Sequence, residues 1–435
     1  MLIAGLRGLL SAPLFCCGFR PFYLATALYA VLALALWGMF FVRGWPLPPA
    51  MGGALAWHAH ELIYGFAMAS VAGFLLTAVP EFTASAPVQG RRLATLFGLW
   101  LAARLAFTLA GASGGFGLFA AALLNLAFMT YLGWLVAPPV WRDPQRTHLS
   151  FVHALLALAA LQAGYFAAAW REAPVMPWLL AAAGVLMILI VVAMSRISMR
   201  MVNSALQAQD AAAVYLARPP RRNLATFAIG LFTAVEFALP GNPVGGWLAL
   251  AAAAALLNLL NDWHVGRALF TRWIFMLYGV YWLMALGYGL LGWSLLGGGF
   301  APSAGRHLLL TGALGLAVLA VMLVAGRTHS GRELDERPWV LAAAGLIVAA
   351  ALLRALAGMS LVEVPVARLW MLAALAWIGA FALYAAYSWR LLTGPGLTRA
   401  AAAKASSPTD THPIQRSRHE VLDSCNANHY HYYSK

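Results

Sequence analysis

The chain has 435 residues, of which 63% are hydrophobic and only 10% are Asp, Glu, Lys or Arg. Soluble domains carry about 25% charged residues, so a soluble fold is excluded because its surface would aggregate. The net charge is +14, with 28 Lys and Arg against 14 Asp and Glu. In a membrane protein this excess is expected in the cytoplasmic loops. Lipid is therefore the expected partner, and nucleic acid is not.

Three cysteines are present, at positions 16, 17 and 425. Cys16 and Cys17 are adjacent and do not form a CxxC motif, so no disulfide framework is predicted. Metal ligation and palmitoylation of this pair are alternatives that the sequence does not favour. The N-terminus lacks the cleavage pattern of a signal peptide, so the first span is expected to remain in the mature protein.

Apolar stretches of about 20 residues, the length that spans a bilayer, follow one another along most of the chain. The predicted spans are 22–42, 62–81, 93–110, 115–136, 149–170, 175–195, 223–240, 245–261, 273–295, 305–326, 338–358 and 366–391. The predicted fold class is therefore an all-α polytopic membrane protein of about twelve transmembrane helices in two sets of six. The basic loop 196–222 joins the two sets, and no internal sequence repeat is visible.

Arginines alternate between the loops in a way that predicts the orientation. The N-terminus and the even-numbered loops hold sixteen arginines, whereas the odd-numbered loops hold only Arg43 and Arg171. The sixteen are Arg7, Arg20, Arg91, Arg92, Arg142, Arg146, Arg196, Arg200, Arg218, Arg221, Arg222, Arg267, Arg272, Arg327, Arg332 and Arg337. Because cytoplasmic loops are enriched in Lys and Arg, both termini are predicted to be cytoplasmic.

Composition also divides the chain into two regions. Residues 1–394 form the predicted twelve-span membrane domain, and residues 395–435 are rich in Ser, Thr, Asp, His and Arg. A segment this polar cannot bury a core, so a disordered cytoplasmic tail is predicted. Its four histidines are expected to be solvated.

Residues 56–66, AWHAHELIYGF, place three titratable groups at the non-cytoplasmic start of the second predicted span. On a helix, His58 and His60 would lie on nearly opposite faces, so they would not share a metal as regular helix neighbours. His58 heads a stripe of small residues, which allows close approach of a flat macrocycle and suits axial haem ligation. The stripe fits helix packing equally well. Glu61 could orient an imidazole by accepting a hydrogen bond.

The other histidines fall on two sides of the predicted bilayer. His307 begins the tenth span on the same side as His58 and His60, so these three are the predicted metal ligands. The remaining histidines outside the tail lie toward the cytoplasmic side, too far across a bilayer about 30 Å thick to join that cluster. They are His148, His153, His264 and His329.

Charged residues within predicted spans are informative because a charge near the bilayer centre costs at least about 2.5 kcal/mol. Those singled out are Arg104, Arg354, Arg368 and Glu236. Such residues usually face the bundle interior and pair with each other, with a haem propionate or with a substrate. For Arg368, a side chain reaching out from the end of a span is an equal explanation.

Three stretches together resemble the NnrS family: CGFRPFYLATALYA at 17–30, WHAHELIYGFAMASVAGFLLTAVPEFTA at 57–84 and LFGLWLAARLAF at 96–107. Weaker similarities follow near 221–223, 306–315, 329–332 and 351–358. The resemblance implies a twelve-span bacterial inner-membrane protein associated with haem and copper and with resistance to nitric oxide. The positions that match the family's motif residues are Arg20, His58, His60, Glu61, Arg104, His307 and Arg354. Of these, the resemblance implies cofactor binding by His58, His60, His307, Arg20, Arg104 and Arg354.

One departure from the family pattern weakens the copper expectation. In FMLYGVYWL at 275–283, Tyr278 stands where the family is expected to have a histidine. If that histidine ligates metal in relatives, this chain holds fewer cofactors.

Three functions remain open at this point. The first is haem binding, and copper binding, in the response to nitric oxide, with nitric oxide as the ligand. The second is secondary transport, which twelve spans with buried charges would suit, although the prolines lie mostly at span ends. The third is an oxidase-type enzyme, which needs more ligand histidines than this chain offers. Hydrolase, phosphate-loop and zinc-finger motifs are absent from the sequence, and whether the protein is an enzyme stays undecided.

Overall fold

The computed structural model describes residues 12–48, 52–112, 114–209, 214–360 and 364–395. Within these ranges the chain is all-helical, with twelve long helices. They are α1 Phe19–Arg43, α2 Gly53–Thr83, α3 Gly90–Leu109, α4 Gly114–Arg142, α5 Leu149–Trp170, α6 Met176–Ala208, α7 Pro219–Ala238, α8 Pro243–Leu260, α9 Arg272–Leu295, α10 Ser303–Thr328, α11 Trp339–Met359 and α12 Val366–Thr393. The tail predicted to be disordered lies outside the described residues except for residue 395.

Eleven of the described helices are long and apolar enough to cross a membrane. The twelfth, α7, begins with PPRRN and contains Glu236, which lowers the mean hydropathy of its 20 residues. The predicted all-α polytopic membrane fold is confirmed.

Helix ends differ from the predicted spans where a helix continues beyond its apolar stretch. The second span was predicted to begin at residue 62, whereas α2 begins at Gly53, so His58 and His60 lie inside the helix. Likewise α6 continues to Ala208, well past the predicted end at residue 195. Hydropathy marks the part of a helix that lies in hydrocarbon, and a helix does not have to end there.

Two of the helices share an unusual interruption. In α2, a regular helix over Gly53–His60 is followed by a π-helix over Glu61–Ala67, and in α10 a regular helix over Ser303–His307 is followed by a π-helix over Leu308–Leu314. π-Helical turns are rare and occur frequently at functional sites. Each of these begins directly after a histidine that the sequence singled out.

Three helices, α2, α6 and α10, lie near the centre of the bundle. In their most apolar stretch, 83% of the residues of α2 and 78% of those of α10 are buried, followed by 67% for α6. These three helices contact one another, and α12 packs against α1 on the outside. The end of the bundle where α2, α6 and α10 begin is termed the histidine end, and the end where they terminate is termed the arginine end.

Gly305, near the start of α10, permits a close approach to α9. A Cβ atom there would lie 2.5 Å from the backbone oxygen of Gly287 and 2.5 Å from the backbone nitrogen of Leu291. We expect Gly305→Ala to destabilise the protein by about 1–3 kcal/mol, because backbone atoms cannot move aside as a side chain can. Thermal unfolding in detergent tests this, with Gly345→Ala as the control because nothing lies within 4 Å of its Cβ position. Equal melting of the two variants would contradict the tight α9–α10 contact.

Candidate functional site

The histidines of α2 point to two different environments, as the sequence predicted from their spacing. Both lie in the regular first part of α2. The ring of His58 stacks on Trp37 of α1, whereas the ring of His60 stacks on Phe107 of α3. The two side chains therefore belong to separate groups.

His58 lies in the first group, the His58–His307 chamber, defined by His58, His307, Arg354, Trp37 and Trp370. The ring centroids of His58 and Trp37 are 4.2 Å apart and their planes differ by 17°, which fixes the plane of the imidazole. His58 is within electrostatic range of both His307 and Arg354. Its Nδ1 atom is buried and has no hydrogen-bond partner among the described residues.

Aromatic rings connect the two sides of this chamber. Trp37 contacts Phe41 with 4.9 Å between ring centroids, and Phe41 contacts Trp370 of α12 at 5.0 Å. The guanidinium carbon of Arg354 on α11 lies 5.1 Å from the centroid of Trp370. A continuous row of flat groups thus runs from His58 to Arg354.

His307 is held in one tautomer by its own helix. Its Nδ1 atom lies 2.7 Å from the carbonyl oxygen of Ser303, and a carbonyl can only accept, so Nδ1 carries the proton. The lone pair therefore resides on Nε2, where it accepts a hydrogen bond of 3.0 Å from Arg354. A backbone acceptor on one ring nitrogen is the usual companion of metal ligation by the other.

The second group, the Glu61 network, is buried apart from Tyr29, which is partly exposed. Glu61 accepts hydrogen bonds from His60 Nδ1 at 2.8 Å, from Arg104 at 2.5 Å and from the Tyr29 hydroxyl. Arg104 also donates to Asn125, which accepts a further hydrogen bond from Gln162 at 3.0 Å. The side chains of Glu61 and His60 are 0% exposed. The network joins α1, α2, α3, α4 and α5.

Charge balance explains why this network is stable in a membrane. An isolated buried carboxylate would be costly, and pairing with Arg104 together with two further donors compensates that cost. The carboxylate also orients His60 so that its Nε2 atom carries the lone pair. That atom is buried and has no partner among the described residues.

Packing around the two groups differs in a way that matters for a large ligand. The ring of His60 lies 3.8 Å from that of Phe107 and also contacts Tyr165 and Phe166. His58 and His307, in contrast, are both partly exposed. The two histidines of the His58–His307 chamber are therefore less tightly enclosed than His60.

Arg20, the remaining predicted cofactor residue, lies at the arginine end. It is buried and donates to the backbone oxygens of Pro13, at 3.1 Å, and Gly394, at 2.7 Å. Seventeen residues of α1 separate it from Trp37, which corresponds to about 25 Å along the helix. Through these hydrogen bonds Arg20 links the start of α1 to the residue that follows α12, and it is remote from both histidine groups.

One ion pair includes a residue, Arg306, that the sequence did not single out. Glu236 of α7 forms two hydrogen bonds with Arg306, at 2.7 and 3.3 Å, and Arg306 precedes His307. Arg306 lies at the end of a predicted span, where arginines are common, so only the fold reveals its partner.

The other charged residues that the sequence singled out differ in burial. Arg368 is exposed in the first turn of α12. Arg104, Arg354 and Glu236, the charges that suited a transporter, each have a protein partner.

The three predicted metal ligands His58, His60 and His307 do not lie in one cluster, because His60 faces away from His58. Among the described residues, no group of three or more His, Cys, Asp or Glu side chains is arranged to hold a metal ion. His148, His264 and His329 lie at the arginine end, and His153 is exposed on α5. Tyr278, at the position of the expected family histidine, contacts the rings of Trp263 and Trp282.

Comparison with known protein families identifies the family of this chain. The sequence model of the family described as NnrS protein matches residues 13–395, which include all twelve helices. No curated protein matches the chain.

Proposed function

Because the chain belongs to the NnrS family, we propose that it binds haem in the membrane at the His58–His307 chamber and acts in the response to nitric oxide. The observation that carries the proposal is the arrangement of His307. Its Nδ1 proton is engaged by Ser303, its Nε2 lone pair faces the chamber residue Arg354, and His58 lies within electrostatic range. Two imidazoles on the central helices α2 and α10 are thus available to one ligand.

The residues of the chamber suit an iron porphyrin in three respects. Neutral imidazole nitrogens are common axial ligands of haem iron. The buried Nδ1 atom of His58 has no partner among the described residues, which marks a polar group whose interaction is incomplete. Trp37 and Trp370 supply flat apolar surfaces on which a macrocycle packs.

Arg354 provides the charge that this ligand requires. Haem carries carboxylate groups, and a guanidinium binds carboxylates with two parallel hydrogen bonds. In the structure, Arg354 donates to Nε2 of His307 instead, and the guanidinium is partly buried against Trp370. We infer that Arg354 releases the His307 nitrogen for ligation when it pairs with a propionate. The bound iron would supply the chemistry of nitric oxide binding.

The Glu61 network supports this site without belonging to it. It joins the start of α2 to α3, α4 and α5, so it determines how His58 is presented on the opposite face of α2. For copper, Nε2 of His60 is a donor with a lone pair, but aromatic rings surround it, and among the described residues it belongs to no group of three or more potential metal ligands. The proposal is therefore limited to haem.

Orientation follows from the arginine distribution along the sequence. We propose that the arginine end faces the cytoplasm of a bacterial inner membrane, so that the chamber opens on the outer side. Nitric oxide is small and uncharged and dissolves in lipid, so it reaches this position from the bilayer without a polar pathway.

An absorption spectrum of the purified protein tests the proposal. The protein is produced in haem-replete cells, purified in detergent and measured with ferrous iron before and after addition of nitric oxide. We expect a Soret band that shifts on addition of nitric oxide. Absence of any Soret band in folded, monodisperse protein would refute the haem assignment while leaving the family and fold unaffected.

A further inference from the structure

A cavity of about 100 Å³ lies at the arginine end, between the three central helices. Its residues come from the last turns of α2, α6 and α10. Charged and polar groups line part of it, and apolar side chains, among them Phe74, Met201 and Val321, line the rest. Glu81, on its wall, lies 23 residues after His58 on α2, or about 35 Å along the helix. The cavity is therefore separate from the haem site proposed above.

Most of the charge around this cavity is paired. Arg200 donates to Glu81 with an N–O distance of 2.7 Å, and His329 lies 3.4 Å from the other oxygen of the same carboxylate. Glu81 is the single carboxylate among the described lining residues. The charge of Glu81 is balanced by Arg200. Arg196 is therefore the remaining arginine of the lining, and Glu81 does not balance its charge.

Arg196 has no carboxylate within ion-pair distance in the part of the chain that the structure describes. One guanidinium nitrogen donates to the backbone oxygen of Thr147 at 2.6 Å. The guanidinium carbon lies over the rings of Phe82 and Phe151, at 5.8 and 5.9 Å from their centroids. The Nε atom is buried without a hydrogen-bond partner among the described residues. A half-buried cation with no counter-ion is costly.

Neighbouring titratable groups do not remove this imbalance. Arg222 is close enough to repel Arg196 electrostatically. Burial, and then the charge of Arg196, lower the pKa of His148 to about 4 against the smaller opposing effect of Asp143, so its imidazole is neutral at physiological pH. The cavity wall thus carries at least one positive charge in excess of what its described residues balance.

We propose that this cavity binds a small monovalent anion, with Arg196 as its principal ligand. The volume corresponds to about three water molecules, which is enough for an ion of the size of nitrate or nitrite. A guanidinium matches a planar oxyanion because its N–H groups lie in one plane. A singly charged phosphodiester of an anionic lipid offers the same chemistry from the membrane.

Anion titration of the purified protein tests this. Protein washed in neutral detergent is titrated with sodium nitrate by calorimetry, against sodium gluconate, whose anion is too large for the cavity. We expect saturable binding of nitrate, weakened at least about tenfold in Arg196→Gln because charge-assisted hydrogen bonds are lost. Arg196→Lys keeps the charge and retains most of the affinity. Arg142→Gln removes an exposed arginine from the same end and leaves binding unchanged.

A phosphorus assay on the same samples separates the two sources of the anion. Nitrate binding that depends on Arg196 identifies a free anion, and co-purified phospholipid that is lost in Arg196→Gln identifies a lipid headgroup. If neither nitrate nor phospholipid binding differs between the wild type and Arg196→Gln, the proposal is overturned. Unfolding curves in gluconate verify that the variants are folded. Because the haem spectrum is not used, failure here does not affect the proposed function.

Discussion

Replacing His58 or His307 by alanine is expected to lower the haem content of the purified protein by at least about tenfold. Even residues that only orient a metal ligand typically cost 10–100-fold when they are lost, so removal of the ligand itself should cost no less. The measurement is the pyridine-haemochrome absorbance per mole of protein, after expression in haem-replete cells. Both residues are partly exposed, so the fold is expected to persist in each variant.

Two further histidines serve as controls for this experiment. His264→Ala changes an exposed ring at the arginine end, whose Nδ1 lies 2.8 Å from the backbone oxygen of Asn261, and should leave the haem content unchanged. His60→Ala distinguishes the chamber from the Glu61 network. Haem that survives in both His58→Ala and His307→Ala but disappears in His60→Ala would transfer the site to the other face of α2.

The second large effect is expected from the Glu61 network. Glu61→Gln has almost the same shape as the wild type but leaves the buried charge of Arg104 without a counter-ion. Breaking a buried ion pair by removing one partner typically costs about 3–5 kcal/mol. We expect a loss of this size in the free energy of unfolding, measured by detergent-induced denaturation. Glu336→Gln, the same change at an exposed position, should have little effect.

A double-mutant cycle separates charge imbalance from loss of hydrogen bonds. Glu61→Gln combined with Arg104→Gln removes both charges and retains polar groups of similar size. We expect the double variant to be more stable than the sum of the single losses predicts, because neither charge is then left alone. Strictly additive losses would show that the two side chains act independently, contrary to the 2.5 Å contact between them.

Much of the fold could be predicted because the membrane imposes simple rules on the sequence. In hydrocarbon every backbone polar group must be satisfied internally, so apolar stretches of sufficient length become helices. The predicted span 149–170 coincides with α5, Leu149–Trp170. The predicted bounds were less accurate at the start of α2 and at the end of α6. There the helix extends into the polar interface because its backbone hydrogen bonds are local, and hydropathy does not measure them.

The π-helices of α2 and α10 could not be predicted at all. Their sequences, ELIYGFA and LLLTGAL, contain nothing that distinguishes them from ordinary helical segments. A π-turn inserts one extra residue per turn and is stabilised by what packs around it. Within the first of these segments the backbone oxygen of Gly65 accepts a hydrogen bond from the indole of Trp100, a contact supplied by another helix.

The candidate site divides in the same way between local and long-range information. By itself the sequence determined that this is a multi-span helical membrane protein, that His58 and His60 face opposite sides of one helix, and that Arg104, Arg354 and Glu236 require partners. These conclusions depend only on helical periodicity and on the cost of placing a charge in lipid, both of which are local properties. Tertiary structure alone decided which partners meet: Glu61 with Arg104, Arg306 with Glu236, and His307 with Arg354. Each pair joins residues far apart in the chain, and no local rule encodes which distant helices pack together.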